Sequence, residues 1–389
     1  MRRQLGARKY VAFLALAALL AAGGCAGLAR PPGGPEFLSA IPQTWRPLAA
    51  RLSERGFTPA QLTDFFNSPD LAYTSAPMAA KLKELHGLNF NADLTREIQE
   101  KLYQLGYEII IDGRAGSGTK AAISRFQTDQ GLAATGVVSR ATLAQVNSAM
   151  KKKALRPLSA YRPPAPTPPS RSATYSQFTN PQALAQISAF FKADRALFDS
   201  LLSRHGVPSE VAAAIIWVET GYGRNFGRTK AASNLASMAA ASSDFSLVAP
   251  AVADLGKDRE TLAFLRRYAV ERGDWALGEL EALMRHAYAN NLDPNSFPGS
   301  IYGAIGWGQF MPSNILKYGR DGDGDGRVDL FNKADAIESV GRFLQAHGWT
   351  GLRMSEEARR AVVLKYNRSG IYANTVLYVA DYLARAPGK

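Results

Sequence analysis

The sequence predicts a mainly all-α protein, and three observations favour this class. Apolar residues recur at spacings of three and four in several segments, as they do on the buried face of an amphipathic helix. Prolines and acidic residues begin such segments and glycines end them. With 389 residues, of which 46% are hydrophobic and 10% aromatic, the chain can bury a sizeable core and is expected to form two or more domains.

The first 24 residues are predicted to form a lipoprotein signal peptide. Basic side chains within residues 2–9 precede an apolar run over residues 10–22, which is too short to span a bilayer stably. The run ends in Ala-Gly-Gly-Cys25, which resembles a bacterial lipobox. Because Cys25 is the only cysteine, it cannot form a disulfide within the chain, and we predict that it is lipidated. The alternative is ordinary signal cleavage nearby.

A tether and a first helical segment follow the signal peptide. Prolines and glycines between residues 31 and 35 predict a tether over residues 25–38. Residues 39–90 are predicted to form an N-terminal helical segment, with apolar residues at helical spacing. Those residues are Leu48, Leu52, Leu82 and Leu85.

Residues 91–150 are predicted to form a separate three-helix module. Its first apolar stripe contains Ile98 and Leu102 and its second Phe126, with a turn-rich loop over Asp112–Thr119 between them and a third helix opening after Thr135. The pattern resembles the small three-helix peptidoglycan-binding domain. It matches through Asp112-Gly, Gly118-Thr119, Phe126-Gln127, Gly131-Leu132 and Thr135-Gly136. The alternative is a helical spacer that uses the same fold without binding the wall.

A linker is predicted over residues 151–178, and a catalytic domain over residues 179–389. The stretch from Lys151 to Ser170 contains three consecutive lysines and six prolines, so we expect it to be basic, extended and semi-rigid.

Glu219 is the candidate catalytic acid. It ends the apolar run Val211–Val218, and Gly221 and Gly223 follow it, as at the end of a helix. Counting back three and four residues reaches apolar side chains, so Glu219 shares the buried face. Lost hydration should raise its pKa toward values that suit a general acid. The alternative is a structural ion pair with Arg224.

Two later segments carry groups suited to sugars. Residues 300–312 alternate glycines with bulky side chains and include Gln309, whose amide can both donate to and accept from sugar substituents. Residues 366–372 combine aromatic and amide groups of the kind that stack on sugar rings. Taken alone, the first segment is equally typical of a glycine-rich turn packed in a core.

Three segments, taken in chain order, resemble the membrane-bound lytic murein transglycosylase B family. They are Gly206-Val-Pro-Ser-Glu through Glu219-Thr, then Gly-Ala-Ile-Gly-Trp-Gly-Gln-Phe-Met-Pro, then Tyr-Asn. The resemblance covers about residues 183–385. It implies a lysozyme-like domain that cuts peptidoglycan glycan strands without hydrolysis, leaving 1,6-anhydro-N-acetylmuramic acid ends, with Glu219 as acid and then base. It also implies a saccharide groove at Ser300, Gln309, Tyr366, Asn367 and Tyr372.

The lipobox resemblance implies a lipid anchor in the periplasm, and because Ala26 rather than Asp follows Cys25, the expected location is the outer membrane. Residues 39–90 are loosely similar to the family's N-terminal part, so the three-helix module is expected to be an insertion. Residues 239–245 depart from the family, which usually has an aromatic-proline-double-arginine stretch there. A basic contact to substrate carboxylates is therefore missing or supplied from elsewhere.

An acidic loop predicts a calcium site. Carboxylates occupy the first, third, fifth and ninth positions of an EF-hand-like loop that starts at Asp321, with Gly326 at the sixth. In this family the loop resembles a longer variant of the EF-hand loop, in which the last ligand lies further along the chain. The corresponding residue in this sequence is Asp335. The implied ligands are Asp321, Asp323, Asp325, the Arg327 carbonyl and Asp335. Such calcium would be structural, and no cofactor is expected for catalysis; a solvated acidic turn is the alternative.

The net charge of +13 predicts an extended anionic partner. Basic residues are scattered and no nucleic-acid motif is present, so peptidoglycan and, through the lipid anchor, the membrane are the expected partners. Two functional alternatives stay open: a lysozyme-type muramidase that uses two carboxylates, and a wall-binding scaffold without activity. The sequence does not indicate an oligomeric state.

Overall fold

The structure is a computed structural model that describes residues 35–89, 92–151, 154–163, 173–255 and 259–385. The predicted signal peptide, Cys25, most of the predicted tether and part of the predicted linker lie outside these residues. Nearly all of the regular secondary structure within them is helical, so the predicted all-α class is confirmed. None of the described helices combines the length and the apolar character that crossing a membrane requires.

The α-helices are numbered in chain order, with one short two-stranded ribbon. They are α1 (Arg46–Glu54), α2 (Pro59–Phe66), α3 (Ala76–Asn89), α4 (Ala92–Gln104), α5 (Ser117–Asp129), α6 (Arg140–Met150), α7 (Ser176–Thr179), α8 (Pro181–Leu202), α9 (Ser209–Thr220), β1 (Thr229–Lys230), α10 (Ala231–Ser243), α11 (Arg259–Ala289), β2 (Pro298–Gly299), α12 (Pro312–Tyr318), α13 (Lys333–Ala346), α14 (Glu356–Tyr366) and α15 (Gly370–Arg385). Strands β1 and β2 pair antiparallel.

The described residues fall into two compact units, one ending at Phe66 and the other beginning at Asn67. The first unit contains α1 and α2, which pack together through leucines at helical spacing, including Leu48 and Leu52. The rings of Trp45 and Phe66 lie 5.9 Å apart in the same core. This unit therefore has apolar packing of its own.

In the second unit, the segment before the three-helix module packs against the region after it. Helix α3 lies against α10 and α11. The backbone N–H groups of Ala72 and Thr74 donate to the hydroxyls of Ser233 and Ser237 at 3.1 and 3.0 Å. The module thus lies between two parts of the chain that pack together, as an insertion would.

The three-helix module consists of α4, α5 and α6 around an apolar core that includes Ile98, Leu102 and Phe126. Its boundaries differ from the prediction at two points. Helix α5 already begins at Ser117, so the end of the predicted loop is its first turn. Helix α6 begins only at Arg140, because the Ser139 hydroxyl accepts the N–H of Thr142 and caps the helix there.

The linker is not simply extended where the structure describes it. Residues 154–163 contain a short 3-10 helix over Leu158–Ala160 and return to the module, where the N–H of Arg156 donates to the Gln104 carbonyl at 2.8 Å. Helix α7 begins at Ser176, within the segment predicted as linker.

The core of the larger region forms around α9, α10 and α11. Helix α9 packs against α8 and α15, and α10 runs along α11. A Cβ atom on Gly273 of α11 would lie 2.4 Å from Ser242 of α10, so the two helices approach very closely. Small side chains at Ala239, Ala240 and Ala241, all buried, suit this approach.

Candidate active site

Glu219 lies in the last turn of α9. Its helix is apolar on nearly every face, and Ile215 and Ile216 are almost fully buried, as the predicted buried face requires. The helix ends at Gly221, which adopts the left-handed conformation (φ 59°) that glycine accepts without strain. Glu219 itself is half-buried.

The environment of Glu219 favours its protonated form. Burial raises the pKa of its carboxyl from 4.5 to about 7, and a hydrogen bond from the Tyr372 hydroxyl to Oε1, 2.7 Å long, limits the rise. The raised pKa agrees with the expectation from the apolar run. A carboxyl with a pKa near 7 holds its proton at neutral pH in a large fraction of molecules, as a general acid must.

The alternative of an ion pair with Arg224 does not occur in the described structure. The Arg224 guanidinium donates to the Gly221 carbonyl at 2.7 Å and to the Gln186 amide oxygen at 3.3 Å. It also lies over the Trp217 ring, 4.9 Å from its centroid. Glu219 therefore keeps its proton-holding environment without a neighbouring cation that would favour the carboxylate.

Two tyrosines from the C-terminal helices stand beside Glu219. Tyr366 ends α14 and Tyr372 lies in the first turn of α15; their rings are parallel, with centroids 6.5 Å apart. Burial, with the nearby Glu219 charge, raises the pKa of both hydroxyls well above the usual range. Both tyrosines are therefore neutral hydrogen-bond donors at physiological pH. Tyr366 uses its hydroxyl to donate to the Gly308 carbonyl at 2.5 Å.

Trp307 joins three segments at the centre of the glycine-rich loop. Its carbonyl oxygen accepts from the Thr220 hydroxyl at 3.0 Å, next in sequence to Glu219. Its backbone N–H donates to the Leu330 carbonyl and its indole N–H to the Phe331 carbonyl, both at 3.0 Å. The sequence motifs contained Trp307 and Thr220 but did not identify them as positioning residues, because their partners lie far along the chain.

The glycines of this loop make room for the protein's own side chains. A Cβ atom on Gly306 would lie 2.5 Å from Leu330, and one on Gly308 would lie 2.8 Å from the Tyr366 hydroxyl oxygen. The glycines of this loop are therefore closely packed within the protein, as in the alternative of a packed turn. Their effect on the site is indirect, since they set where the loop backbone lies.

The remaining predicted groove residues have these surroundings. The Ser300 hydroxyl accepts the N–H groups of Tyr302 and Ala304 and so closes a turn after β2. Gln309 has a positive φ of 47°, unusual for a residue with a side chain, and its amide donates to the Gly306 carbonyl at 3.1 Å. Asn367 is exposed just after α14. Contacts in the structure thus join Tyr372 to Glu219 directly, while Ser300, Gln309 and Asn367 make their hydrogen bonds to local backbone.

The acidic loop brings three of its predicted ligands together. Carboxylate oxygens of Asp321, Asp323 and Asp325 lie within 4.8 Å of one another, close enough to share one cation. Asp335 lies in the first turn of α13 and is buried, and its two oxygens accept the N–H groups of Gly322 and Asp329. Burial raises its pKa.

Fold and site together define a helical protein with a half-buried, proton-holding carboxylic acid at the end of α9 and a separate three-helix module. Residues 119–361, more than half of the chain, match the family model of the transglycosylase SLT domain. The chain belongs to this family. Residues 91–146 match the peptidoglycan binding domain model. The resemblances predicted from the motifs are thereby confirmed.

Among curated proteins, the chain is similar to membrane-bound lytic murein transglycosylase B of Escherichia coli, with 37% identity over 145 residues. The match covers 37% of this chain, and the chain spans about a third (33%) of that relative's length.

Solved structures with a similar fold include two bacterial transglycosylases. Soluble lytic transglycosylase SltB1 of Pseudomonas aeruginosa has 22% identity and a TM-score of 0.46, covering 69% of this chain and 99% of that one. The Escherichia coli lytic transglycosylase Slt35 in complex with calcium has 20% identity and a TM-score of 0.44, covering 68% and 92%.

Proposed function

We propose that this protein is a peptidoglycan lytic transglycosylase that cleaves the bond between N-acetylmuramic acid and N-acetylglucosamine without water. The observation that carries the proposal is Glu219: a half-buried carboxyl, with a pKa raised to about 7 and a hydrogen bond from Tyr372, in a chain of the transglycosylase SLT family. The murein transglycosylase among its relatives supports the same substrate class.

In this proposal Glu219 performs both proton transfers. Its protonated carboxyl gives a proton to the glycosidic oxygen as the bond breaks. The acetamido group of the muramic acid stabilises the cationic centre, with help from polar groups such as Ser300 and Asn367. The Glu219 carboxylate then takes the proton of the same sugar's C6 hydroxyl, and the oxygen closes a 1,6-anhydro ring. Tyr372 stabilises that carboxylate between the two steps.

The electrostatics of the site favour this reaction over hydrolysis by two carboxylates. In a two-carboxylate glycosidase the partners lie within about 10 Å of each other, and their charges perturb each other's pKa. Burial is what raises the pKa of Glu219, and the Tyr372 hydrogen bond partly opposes it; no Asp or Glu of the described residues contributes to the shift. A carboxyl with a raised pKa and a hydrogen-bonding tyrosine is typical of an acid–base catalyst, which favours an enzyme over an inactive scaffold.

Glu219→Gln tests the proposal. The amide preserves shape but carries no transferable proton, so wall lysis should stop while folding and binding to sacculi persist. Turbidity of a sacculus suspension reports lysis, and the matched control is Glu54→Gln, the same exchange at an exposed residue of the first unit. Wild-type clearance by the Glu219→Gln protein would refute the assignment.

The acidic loop fits a structural calcium ion. Three clustered carboxylates supply hard oxygen ligands of the type calcium prefers, and Asp335 would add a buried fourth carboxylate whose raised pKa a nearby cation would reverse. Asp321, Asp323, Asp325, the Arg327 carbonyl and Asp335 would hold the ion. It would stabilise the loop that ends at Leu330 and Phe331, the two residues that anchor Trp307.

The proposed location is the periplasmic face of the outer membrane, with a lipid on Cys25. The lipobox-like end of the predicted signal peptide supports this anchor. Metabolic labelling with a fatty-acid probe, compared between wild type and Cys25→Ser, tests it; equal labelling would exclude the anchor.

A further inference from the structure

A cleft of about 510 Å³ lies between the three-helix module and the start of the linker. We propose that this cleft binds the peptide stems of peptidoglycan, and that the linker completes it. The inference rests on the proposed action on peptidoglycan and on the match of residues 91–146 to the peptidoglycan binding domain model, and it identifies where that module would bind.

Linker residues form one wall of the cleft through specific contacts. The Tyr161 hydroxyl accepts the N–H of Ile111 at 2.9 Å, and the Tyr161 ring meets the Tyr103 ring edge-on, with centroids 5.0 Å apart. The Arg156 guanidinium lies over the Tyr103 ring, 4.8 Å from its centroid, and pairs with Glu108 at 3.6 Å. A segment held at so many points belongs to the module rather than serving only as a spacer.

The lining combines an apolar surface with charges of both signs. Ile110 is 55% exposed, an unusual state for a large aliphatic side chain, and stands beside Tyr161 in the cleft. Arg114 and Arg162 supply positive charge, and Asp112 supplies negative charge. The Arg162 side chain is fixed by donating to the carbonyls of Ser159 and Tyr161 at 2.8 and 3.0 Å.

This chemistry suits a short zwitterionic peptide better than a glycan. The peptide stems of peptidoglycan carry carboxylates, amino groups and alkyl side chains, which match the arginines, the acidic groups and Ile110 respectively. A glycan stripped of its stems offers carboxylates but no cation for Asp112. Charge complementarity therefore favours the stem as the occupant.

The experiment measures how tightly the full chain binds to purified sacculi, in a Glu219→Gln background so that the wall stays intact. Ile110→Ser is compared with Val137→Ser, because Val137 is 54% exposed in the same module but does not line the cleft. We expect Ile110→Ser to weaken binding about fivefold and Tyr161→Ala about tenfold, from lost apolar contact. Val137→Ser should bind like wild type.

Ile110→Ser and Val137→Ser, the two variants at exposed residues, should keep the wild-type melting temperature, so that lost binding cannot be attributed to unfolding. Free stem peptides should compete with sacculi for the Glu219→Gln protein and much less for its Ile110→Ser variant, whereas amidase-treated glycan should compete equally for both. Equal binding by Ile110→Ser, Tyr161→Ala and Val137→Ser would show that the cleft does not bind the wall. Deletion of residues 91–150 tests separately whether the module contributes to wall binding at all. Competition by the stripped glycan alone would show that the peptide stem is not the ligand of the cleft. If wild type itself fails to bind sacculi, the wall-binding function fails as well.

Discussion

The raised pKa of Glu219 should make the stability of the protein depend on pH in a way that one substitution removes. Because the folded protein binds this proton more tightly than the unfolded chain, the contribution to stability is fully present below pH 4.5 and is lost as pH rises to about 7. In Glu219→Gln no such proton exists. The free energy of unfolding of Glu219→Gln, relative to that of wild type, should therefore be higher at pH 8 than at pH 4.5.

The size of the effect follows from the pKa. Each pKa unit corresponds to about 1.4 kcal/mol, so the rise from 4.5 to about 7 corresponds to about 3 kcal/mol. Water reaches the half-buried carboxyl and screens part of this, so we expect about 2 kcal/mol. The measured quantity is the free energy of unfolding by urea, for wild type and Glu219→Gln, at both pH values.

Glu54→Gln, the same exchange at an exposed residue, controls for the general loss of a negative charge. The difference between Glu219→Gln and wild type should grow by about 2 kcal/mol from pH 4.5 to pH 8. If the two proteins lose stability in parallel as pH rises, Glu219 is not a buried acid with a raised pKa, and its selection as proton donor loses its physical basis.

Three further predictions concern groups around the site. Tyr372→Phe removes the hydrogen bond that holds the Glu219 pKa down, so the fall in activity with rising pH should shift to higher pH; an unchanged pH–rate profile would contradict this. Gly308→Ala should lower kcat/KM about tenfold by displacing the Tyr366 hydroxyl, whereas Gly278→Ala, with open space around it, should be neutral. Calcium should raise the melting temperature of wild type well above that of the double variant Asp321→Ala, Asp325→Ala, and equal shifts would exclude the proposed ligands.

Local signals in the sequence predicted the helix of Glu219 and its environment. Proline before α9, glycine after it and an unbroken apolar run between them define a buried helix with one acid at its end. The same information predicted the raised pKa, because burial is its main cause and burial follows from the run.

Groups from distant parts of the chain were predictable only in part. Tyr372 was identified through its motif, but its hydrogen bond to Glu219 joins residues 153 positions apart, and no periodicity specifies that distance. Trp307 was missed for the same reason, since its three partners belong to other segments. The close approach of Leu330 and Tyr366 to the glycines of residues 300–312 was not predicted either, because these partners also lie in other segments.

The linker shows how composition can mislead. Its prolines predicted an extended spacer, and proline does disfavour helix. Tyr161 and Arg156 nevertheless hold residues 154–163 against the module through aromatic and hydrogen-bond contacts. The contacts that such single side chains make depend on tertiary packing, which the proline content does not indicate.

The most direct test of the central claim is the chemical identity of the new glycan ends. Sacculi are digested with the wild-type protein in water enriched in the heavy oxygen isotope, and the released fragments are weighed by mass spectrometry. A single acid that closes the ring through the sugar's own C6 hydroxyl should give 1,6-anhydro-N-acetylmuramic acid ends with no incorporated label. Reducing muramic acid ends that carry the isotope would instead establish a hydrolase and require a second carboxylate.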